Sequence, residues 1–145
     1  MPAKPQYAVR EVSWGQDGAR LRVLRYEVFV REQGVSEALE WDGLDPVCRH
    51  VVAETAAGEA IGTGRLLPDG HIGRMAVSKP WRRAGVGSVL LDRLVSMARE
   101  RGDPCAVLHA QSYVTAFYRR AGFEAIGPEF MEAGIPHVEM RKGLP

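Results

Sequence analysis

The stretch IGRMAVSKPWRRAGVGSVLLDRLVSMARERG, residues 72–102, predicts a strand, a glycine-rich basic loop and an amphipathic helix in that order, and the rest of the chain is organised around it. Residues 72–77 are mostly apolar and have the length of a short strand. In the helix, apolar residues recur at three- and four-residue steps and so share one face: Val86, Leu90, Leu94, Met97 and Ala98. Gly102 stands where a left-handed residue would cap the helix, and Pro104 prevents the helix from resuming.

The basic loop between strand and helix has the composition of a phosphate cradle. It places Arg82, Arg83, Gly85 and Gly87 directly around the start of the predicted helix. Backbone N–H groups there have no helical partner and lie at the positive end of the helix dipole. A glycine lets a ligand approach the main chain, and an arginine can pair with phosphate. The alternative is an ordinary strand-to-helix turn with solvated arginines, since a glycine loop alone is weakly diagnostic.

Composition narrows the class of protein. The chain has 145 residues, which suits one domain with a full core. With 46% hydrophobic residues, 26% charged residues and a formal net charge of +1, we expect neither nucleic acid nor a membrane surface as a partner. No apolar run reaches the roughly 18–20 residues that span a bilayer, and the N-terminus lacks the apolar core of a signal peptide. Cys48 and Cys105 form no CxxC pair, so we expect buried thiols in a reducing, cytoplasmic setting.

The rest of the chain predicts a single α/β domain, residues 1–145, with a mixed sheet. Residues 1–6 contain two prolines and are expected to be a loose lead-in. Alternating apolar positions between turn residues predict strands at residues 7–12, 50–54, 60–67, 106–110, 123–126 and 137–142. Helical spacing and capping residues predict helices at residues 15–31, 36–40 and 114–121. Residues 127–136, with prolines towards both ends, are expected to form a loop.

Most catalytic and cofactor templates are absent. The chain has no GxxxxGK[ST] and no GxSxG, and Leu90 stands where GxGxxG requires its third glycine. The four histidines, at positions 50, 71, 109 and 137, lack ligand spacing, so we expect no metal site and assign each a structural or surface role. No interleaving of aromatic and basic residues indicates nucleic-acid binding.

Two motifs carry a family resemblance. Arg82-x-x-Gly85-x-Gly87 before a helix resembles the acyl-CoA signature of the GNAT superfamily of N-acyltransferases, and Phe117-Tyr118 followed by Gly122-Phe123 is similar to its second signature. Further segments resemble the ElaA-like bacterial subfamily, namely residues 28–35, 42–45, 110–111 and 132–137. The resemblance runs from about residue 7 to residue 142. It implies a GNAT-like domain, with a mixed, mostly antiparallel twisted sheet of about six or seven strands and about four helices.

The resemblance also implies an acetyl-CoA site and its residues. Backbone groups of Met75, Ala76 and Val77 would bind the pantetheine arm, and a bulge there would aim an amide at the thioester carbonyl. The pyrophosphate would be bound by amides of Arg83, Ala84, Gly85, Val86, Gly87 and Ser88, with charge from Arg82 and Arg83. Gln111, Ala116 and Arg119 would supply further contacts with the pantetheine and adenosine ends.

Acyl transfer to an amine also needs proton transfers. Tyr118 matches the family position that protonates the departing thiolate, although without the motif it would be interpreted as a packing residue. An alkyl amine has a pKa of about 10, so a base or a water chain must remove a proton from it. Candidates for this general base are Glu32, Glu40, Asp42, Glu54, His71 and His109. Glu40 is preferred because its turn follows the helices that border the acceptor site in this superfamily.

These residues predict an acetyl-CoA-dependent N-acetyltransferase that acts on a primary amine of a small molecule or protein. The alternative is a non-catalytic acyl-CoA-binding or sensing domain, but binding alone does not require the proton donor Tyr118. The acceptor is not identified by any charge pattern. The protein could be a monomer, or a homodimer that pairs through an exposed strand such as residues 137–142.

Overall fold

A seven-stranded sheet runs through the computed structural model, which describes residues 7–145. The strands are β1 (Tyr7–Val12), β2 (Arg49–Thr55), β3 (Ala60–Leu66), β4 (His71–Val77), β5 (Cys105–Gln111), β6 (Glu124–Glu132) and β7 (Ile135–Gly143). Their order in the sheet is β1-β2-β3-β4-β5-β7-β6. Neighbouring strands are antiparallel except β4 and β5, which are parallel. The predicted mixed, mostly antiparallel sheet is confirmed, and the lead-in at residues 1–6 lies outside the described residues.

Four α-helices flank the sheet in the described part of the chain: α1 (Trp14–Arg25), α2 (Glu37–Glu40), α3 (Val86–Arg101) and α4 (Thr115–Arg120). The apolar face predicted for α3 is buried, and it packs in the main core with strand residues such as Val51, Ile61 and Met140. Gly62 and Gly64 of β3 allow this close packing, because a Cβ on either would come within 3.0 Å of side-chain atoms of α3. Gly102 ends α3 with a φ of 90°, as predicted.

The long helix predicted at residues 15–31 is interrupted. The α-helix ends at Arg25, and Tyr26–Glu32 continues as a π-helix. Backbone bonds such as Gln33 N–H to the Val28 carbonyl and Val35 N–H to the Phe29 carbonyl close wider turns than an α-helix has. The apolar spacing could not indicate this change, because it predicts which face of the helix is buried and not which residues the backbone hydrogen bonds connect.

The prediction of a loop at residues 127–136 is wrong. β6 and β7 form a hairpin whose two-residue turn is Ala133-Gly134, with φ values of 52° and 75°. Positive φ at both turn residues is the geometry that matches strand twist. Pro128 is tolerated because β6 is an edge strand and its register shifts between Ile126 and Phe130. The prediction that residues 137–142 lie at a sheet edge is also wrong, since β7 lies between β5 and β6.

The other predicted strands and helices are found with small shifts of their ends. The strands β2, β3 and β4 form the antiparallel meander that their turn residues predict. Neither Cys48 nor Cys105 is in a disulfide, and both are partly buried. Within residues 7–145, no helix combines the length and the apolar character that crossing a bilayer requires.

Candidate active site

Strands β4 and β5 separate partway along their length. Among the described residues they pair only through His71 with Val107 and Ile72 with Leu108. Beyond these pairs, β4 remains bonded to β3 as far as Val77, and β5 remains bonded to β7 as far as Gln111. A gap therefore opens between the C-terminal halves of two parallel strands. Three of the predicted ligand-binding residues, at positions 75–77, lie along the β4 side of this gap, and Gln111 lies at the end of β5.

A β-bulge distorts β4 beside the gap. Thr63 pairs with Ala76 and Arg65 pairs with Gly73, so Arg74 and Met75 together oppose the single residue Gly64. Arg74 has a φ of 47°, which is rare for a residue that has a Cβ atom. A bulge thus stands where the family resemblance implies one, next to Met75.

The loop before α3 presents free backbone amides to open space. Gly85 has a φ of 82° and stands at the N-cap, and the first helical bond onto it comes from the N–H of Val89. The amides of Val86, Gly87 and Ser88 therefore precede the first helical donor. A Cβ on Gly85 would meet nothing within 4 Å. The predicted cradle geometry is thus available, and the residues fit an anionic group at the helix N-terminus.

The two arginines of this loop differ in their contacts. Arg82 is paired with Glu32, at 2.8 Å between Nη1 and Oε2, and its Nε donates to the Val77 carbonyl at 3.0 Å. Arg82 therefore ties the loop to the end of the π-helix and to the end of β4. Arg83 is exposed and has a φ of 67°. Both side chains lie at the surface, and they differ in that the charge of Arg82 is paired with Glu32.

Tyr118 lies on α4, in the middle of an aromatic group. Its ring packs edge-on against Phe117 and Phe123, with centroids 5.0 and 6.2 Å apart. Burial raises the pKa of Tyr118 to about 12, so the hydroxyl stays protonated at neutral pH. A Cβ on Gly87 would lie 3.5 Å from the Phe117 ring, which shows how closely α4 approaches the N-terminus of α3. Ala116 and Arg119, on the same helix, are exposed.

A cavity of about 590 Å³ lies on the side of the sheet that the π-helix and the β6–β7 hairpin cover. Its wall includes seven of the candidate residues predicted from sequence, namely Met75, Gln111, Tyr118 and the general-base candidates Glu40, Asp42, His71 and His109. Gln111 is held in place, because its Nε2 donates to Gln33 Oε1 at 3.1 Å and its Oε1 accepts from the Tyr113 hydroxyl. The residues of the basic loop are not part of this wall, so the predicted phosphate-binding and proton-transfer residues occupy two neighbouring regions.

Glu40 belongs to a buried network of ion pairs. It is 3% exposed, and its two oxygens lie 2.7 Å from Arg25 Nε and 3.1 Å from Arg74 Nε. Arg25 also pairs with Asp45, which in turn pairs with Arg65. Burial raises the pKa of Glu40, and the charges of Arg25 and Arg74 offset only part of that effect. The network joins α1, α2 and the bulged strand β4.

Three of the four histidines, which the sequence spreads over 67 positions from 71 to 137, meet in space. The His71 and His109 rings are 5.8 Å apart, and Phe130 packs against both His109 and His137. All three histidines line the cavity. Their spacing along the chain gave no indication of this cluster, because it depends on the pairing of β4, β5 and β7, which sequence does not specify.

Comparison with known proteins identifies the family. The model of the acetyltransferase (GNAT) domain matches residues 13–144. The chain belongs to the GNAT family of acetyltransferases. In sequence it is 37% identical over 127 residues to the uncharacterized protein YyaT of Bacillus subtilis, covering 83% of this chain and 85% of that one. It is 36% identical over 123 residues to an uncharacterized N-acetyltransferase of the same organism, YjcF, covering 82% and 87%.

Solved structures of this family have the same fold. An acyl-CoA N-acyltransferase from Pseudomonas aeruginosa is 33% identical, with a TM-score of 0.80 over 95% of this chain and 99% of that one. Escherichia coli ElaA is 25% identical, with a TM-score of 0.84 over 94% and 99%. The GNAT resemblance of the two sequence motifs is therefore confirmed, and so is the expected acyltransferase class.

Proposed function

We propose that this GNAT protein is an acetyl-CoA-dependent N-acetyltransferase that transfers the acetyl group directly to a primary amine in a ternary complex. The observation that carries the proposal is the gap between β4 and β5. Val77, at one end of it, is close to the open N-terminus of α3, since a Cβ on Gly87 would lie 4.0 Å from the Val77 side chain, and its other end reaches a cavity lined by Met75 and Tyr118. A co-substrate with a phosphate end and a thioester end fits this arrangement. The acceptor would enter from the cavity and is an amine of a small molecule or a protein.

The chain's own residues account for binding of such a co-substrate. Amides of residues 83–88 would hold the pyrophosphate at the positive end of α3, with Arg83 as the available charge. Backbone groups of residues 75–77 would form hydrogen bonds with the pantetheine, which would lie beside β4 as an added strand lies beside a sheet edge. The bulge beside Met75 would direct an amide towards the thioester oxygen. Gln111, Ala116 and Arg119 would contact the rest of the molecule, and Arg82 would hold the loop against Val77 and Glu32.

Tyr118 would supply the proton to the leaving sulfur. A thiol has a pKa of about 8.5 in water, and burial in an apolar pocket makes its thiolate more basic. Burial also keeps the Tyr118 hydroxyl protonated, since its pKa is about 12. The hydroxyl can therefore donate a hydrogen bond to sulfur throughout and pass the proton as the carbon–sulfur bond breaks. Water then restores the proton to the phenolate.

Glu40 is our proposed general base. It lines the cavity, and its raised pKa suits proton acceptance better than that of an exposed carboxylate. Because both of its oxygens are paired with arginines, it can accept a proton only by weakening one of those pairs. Glu40→Gln should therefore remove the acidic limb of the pH profile of kcat/KM. If the variant loses activity equally at every pH, the proton leaves through water and Glu40 only positions its neighbours.

The alternative function is binding or sensing of acyl-CoA without turnover. Thiol release from acetyl-CoA, measured against a panel of amines, polyamines and peptides, separates the two. The enzyme should release CoA faster with at least one amine than without any, and mass spectrometry should find the acetylated amine. Binding of CoA with no amine-dependent release across the panel would favour the sensor. We also propose a cytoplasmic location, which the unpaired thiols of Cys48 and Cys105 support.

A further inference from the structure

Three adjacent strands bring metal-ligating side chains together on one face of the sheet. His109 of β5 is paired directly with Glu139 of β7, and His71 of β4 is paired with Val107, two residues before His109. Since residues two apart on a strand share a face, His71 is the diagonal neighbour of His109. One ligand atom from each of His71, His109 and Glu139 lies within 4.8 Å of the others. This group serves no step of the proposed acetyl transfer.

The His109 ring is placed as the ring of a metal-bound histidine usually is, and the His71 ring also has a carboxylate beside its Nδ1 atom. The Nδ1 atom of His71 lies 3.0 Å from Asp69 Oδ1, and the Nδ1 atom of His109 lies 3.0 Å from Glu132 Oε1. Ligating histidines typically direct their second ring nitrogen at a carboxylate, which fixes the ring and makes the first nitrogen more basic. The bond to Glu132 leaves Nε2 as the free ligand atom of His109, whereas His71 Nδ1 is buried without an aligned hydrogen bond among residues 7–145. The Nε2 atom of His109 already lies 3.8 Å from Glu139 Oε1.

Neighbouring side chains pack against the two histidine rings but leave the three ligand side chains accessible to solvent. His109 packs edge-on against Phe130, with ring centroids 5.1 Å apart, and the two histidine rings stand at 88° to each other. The ligand side chains keep about a third of their surface exposed, at 37%, 35% and 34% for His71, His109 and Glu139. Arg141 Nη2 lies 3.8 Å from Glu139 Oε2, and this side chain is half exposed, so it can turn into solvent.

We propose that His71, His109 and Glu139 bind one divalent transition-metal ion of the zinc class, with an open coordination position facing the cavity. Two imidazoles and a carboxylate suit zinc, whereas magnesium and calcium prefer oxygen ligands alone. Bonds of about 2.1 Å in a tetrahedron set ligand atoms roughly 3.4 Å apart, so the group closes by about 1.4 Å at most on binding. The carboxylates of Glu139, Asp69 and Glu132 compensate the charge of the ion. His71 and His109 line the cavity, so the open position is reachable from it.

Metal binding to the full chain tests this directly and does not depend on acetyltransferase activity. After removal of metals with a chelator, titration with Zn²⁺ should show one ion per chain with a submicromolar dissociation constant. Co²⁺ should produce the strong visible absorption of a four-coordinate site, which Zn²⁺ then abolishes. His71→Ala, His109→Ala and Glu139→Gln should each weaken Zn²⁺ binding at least 100-fold. Asp69→Asn should weaken it about 10-fold, as loss of an outer carboxylate does.

Two controls define the ligand set. Glu59→Gln removes an exposed carboxylate from the β2–β3 turn and should leave Zn²⁺ affinity unchanged. His137→Asn should also retain binding within a few-fold, because His137 is outside the proposed set. Circular dichroism of each metal-free variant should match the wild-type protein. A dissociation constant of the wild-type protein for Zn²⁺ above about 100 μM would overturn the proposal. Unchanged Zn²⁺ affinity in all three ligand variants would also overturn it, as would loss of Zn²⁺ binding in His137→Asn together with unchanged binding in His71→Ala.

Discussion

Loss of Arg25 should destabilise the protein strongly through electrostatics. Its side chain is 1% exposed and lies between two carboxylates, with Nε 2.7 Å from Glu40 Oε1 and Nη1 2.8 Å from Asp45 Oδ1. Arg25→Met keeps an unbranched apolar stem of similar reach but removes the charge. It leaves two buried carboxylates that have each lost a cation.

The expected cost follows from the remaining contacts. Removing one partner of a buried pair costs about 3–5 kcal/mol, and the lower value applies because Glu40 keeps Arg74 and Asp45 keeps Arg65. Loss of the cation–π contacts with two tryptophan rings, 5.5 and 5.2 Å away, adds roughly 0.5–1 kcal/mol each. Arg25 Nη2 is buried without a hydrogen-bond partner among residues 7–145, so removing it returns about 1 kcal/mol. The free energy of unfolding should fall by about 3–4 kcal/mol.

Urea unfolding at pH 7, followed by circular dichroism, measures this loss as a lower midpoint at constant slope. The matched control is Arg22→Met, since Arg22 lies on the same helix and over Trp41 but is exposed. Its loss should stay below about 1 kcal/mol. In the double variant Arg25→Met/Glu40→Gln, neutralising a buried carboxylate that keeps only Arg74 as its partner should recover about 1–2 kcal/mol. If Arg25→Met and Arg22→Met lowered the unfolding free energy equally, the buried carboxylates would not depend on Arg25.

Three further results are expected. Acetyl-CoA at 100 times its dissociation constant should stabilise the protein by about 2.7 kcal/mol. Gly85→Val should abolish this stabilisation, and the control Gly58→Val, at a similar φ of 84°, should keep it. Stabilisation that persists in Gly85→Val would refute phosphate binding by this loop. Tyr118→Phe should lower kcat about 10²–10⁴-fold with KM for acetyl-CoA nearly unchanged, and an unchanged kcat would exclude the acid role. Burial opposes ionisation of Asp42, but hydrogen bonds from Arg65 and a backbone amide outweigh it and hold its pKa at about 2. The unfolding free energy should therefore decrease between about pH 5 and pH 2. In Asp42→Asn this decrease should be smaller by about 1 kcal/mol, a value that allows for solvent screening. The same decrease in the wild-type protein and the variant would contradict the prediction.

The elements that sequence predicted well are those determined by nearby residues. The helix α3 has its apolar stripe and its C-terminal glycine within one short stretch, and both behave as predicted. The meander of β2, β3 and β4 likewise follows from short turns between apolar runs. The hairpin of β6 and β7 was missed because Pro128 and Pro136 indicate a loop, whereas an edge strand with a shifted register accommodates them.

The candidate site could be predicted only in part. Met75, Gln111 and Tyr118 were predicted through the family resemblance, and all three line one cavity, while their roles stay predictions. The pairing of Arg82 with Glu32 joins residues that are 50 positions apart. The histidine cluster depends on strand register in the same way. Contacts of this kind follow from the packing of whole elements, and no local pattern of residues specifies them.

The ion pairs around Glu40 connect the proposed acceptor side of the cavity with the strand that would hold the thioester. Glu40 binds Arg74, and Arg74 is the bulged residue whose φ of 47° is unfavourable by about 1–2 kcal/mol for a residue with a Cβ. Such a conformation persists only where its surroundings hold it in place. A proton taken up by Glu40 would weaken its attraction to Arg74 and so loosen the bulge. In the proposed mechanism, removal of the amine proton and the position of the oxyanion-binding amide are therefore coupled through one carboxylate.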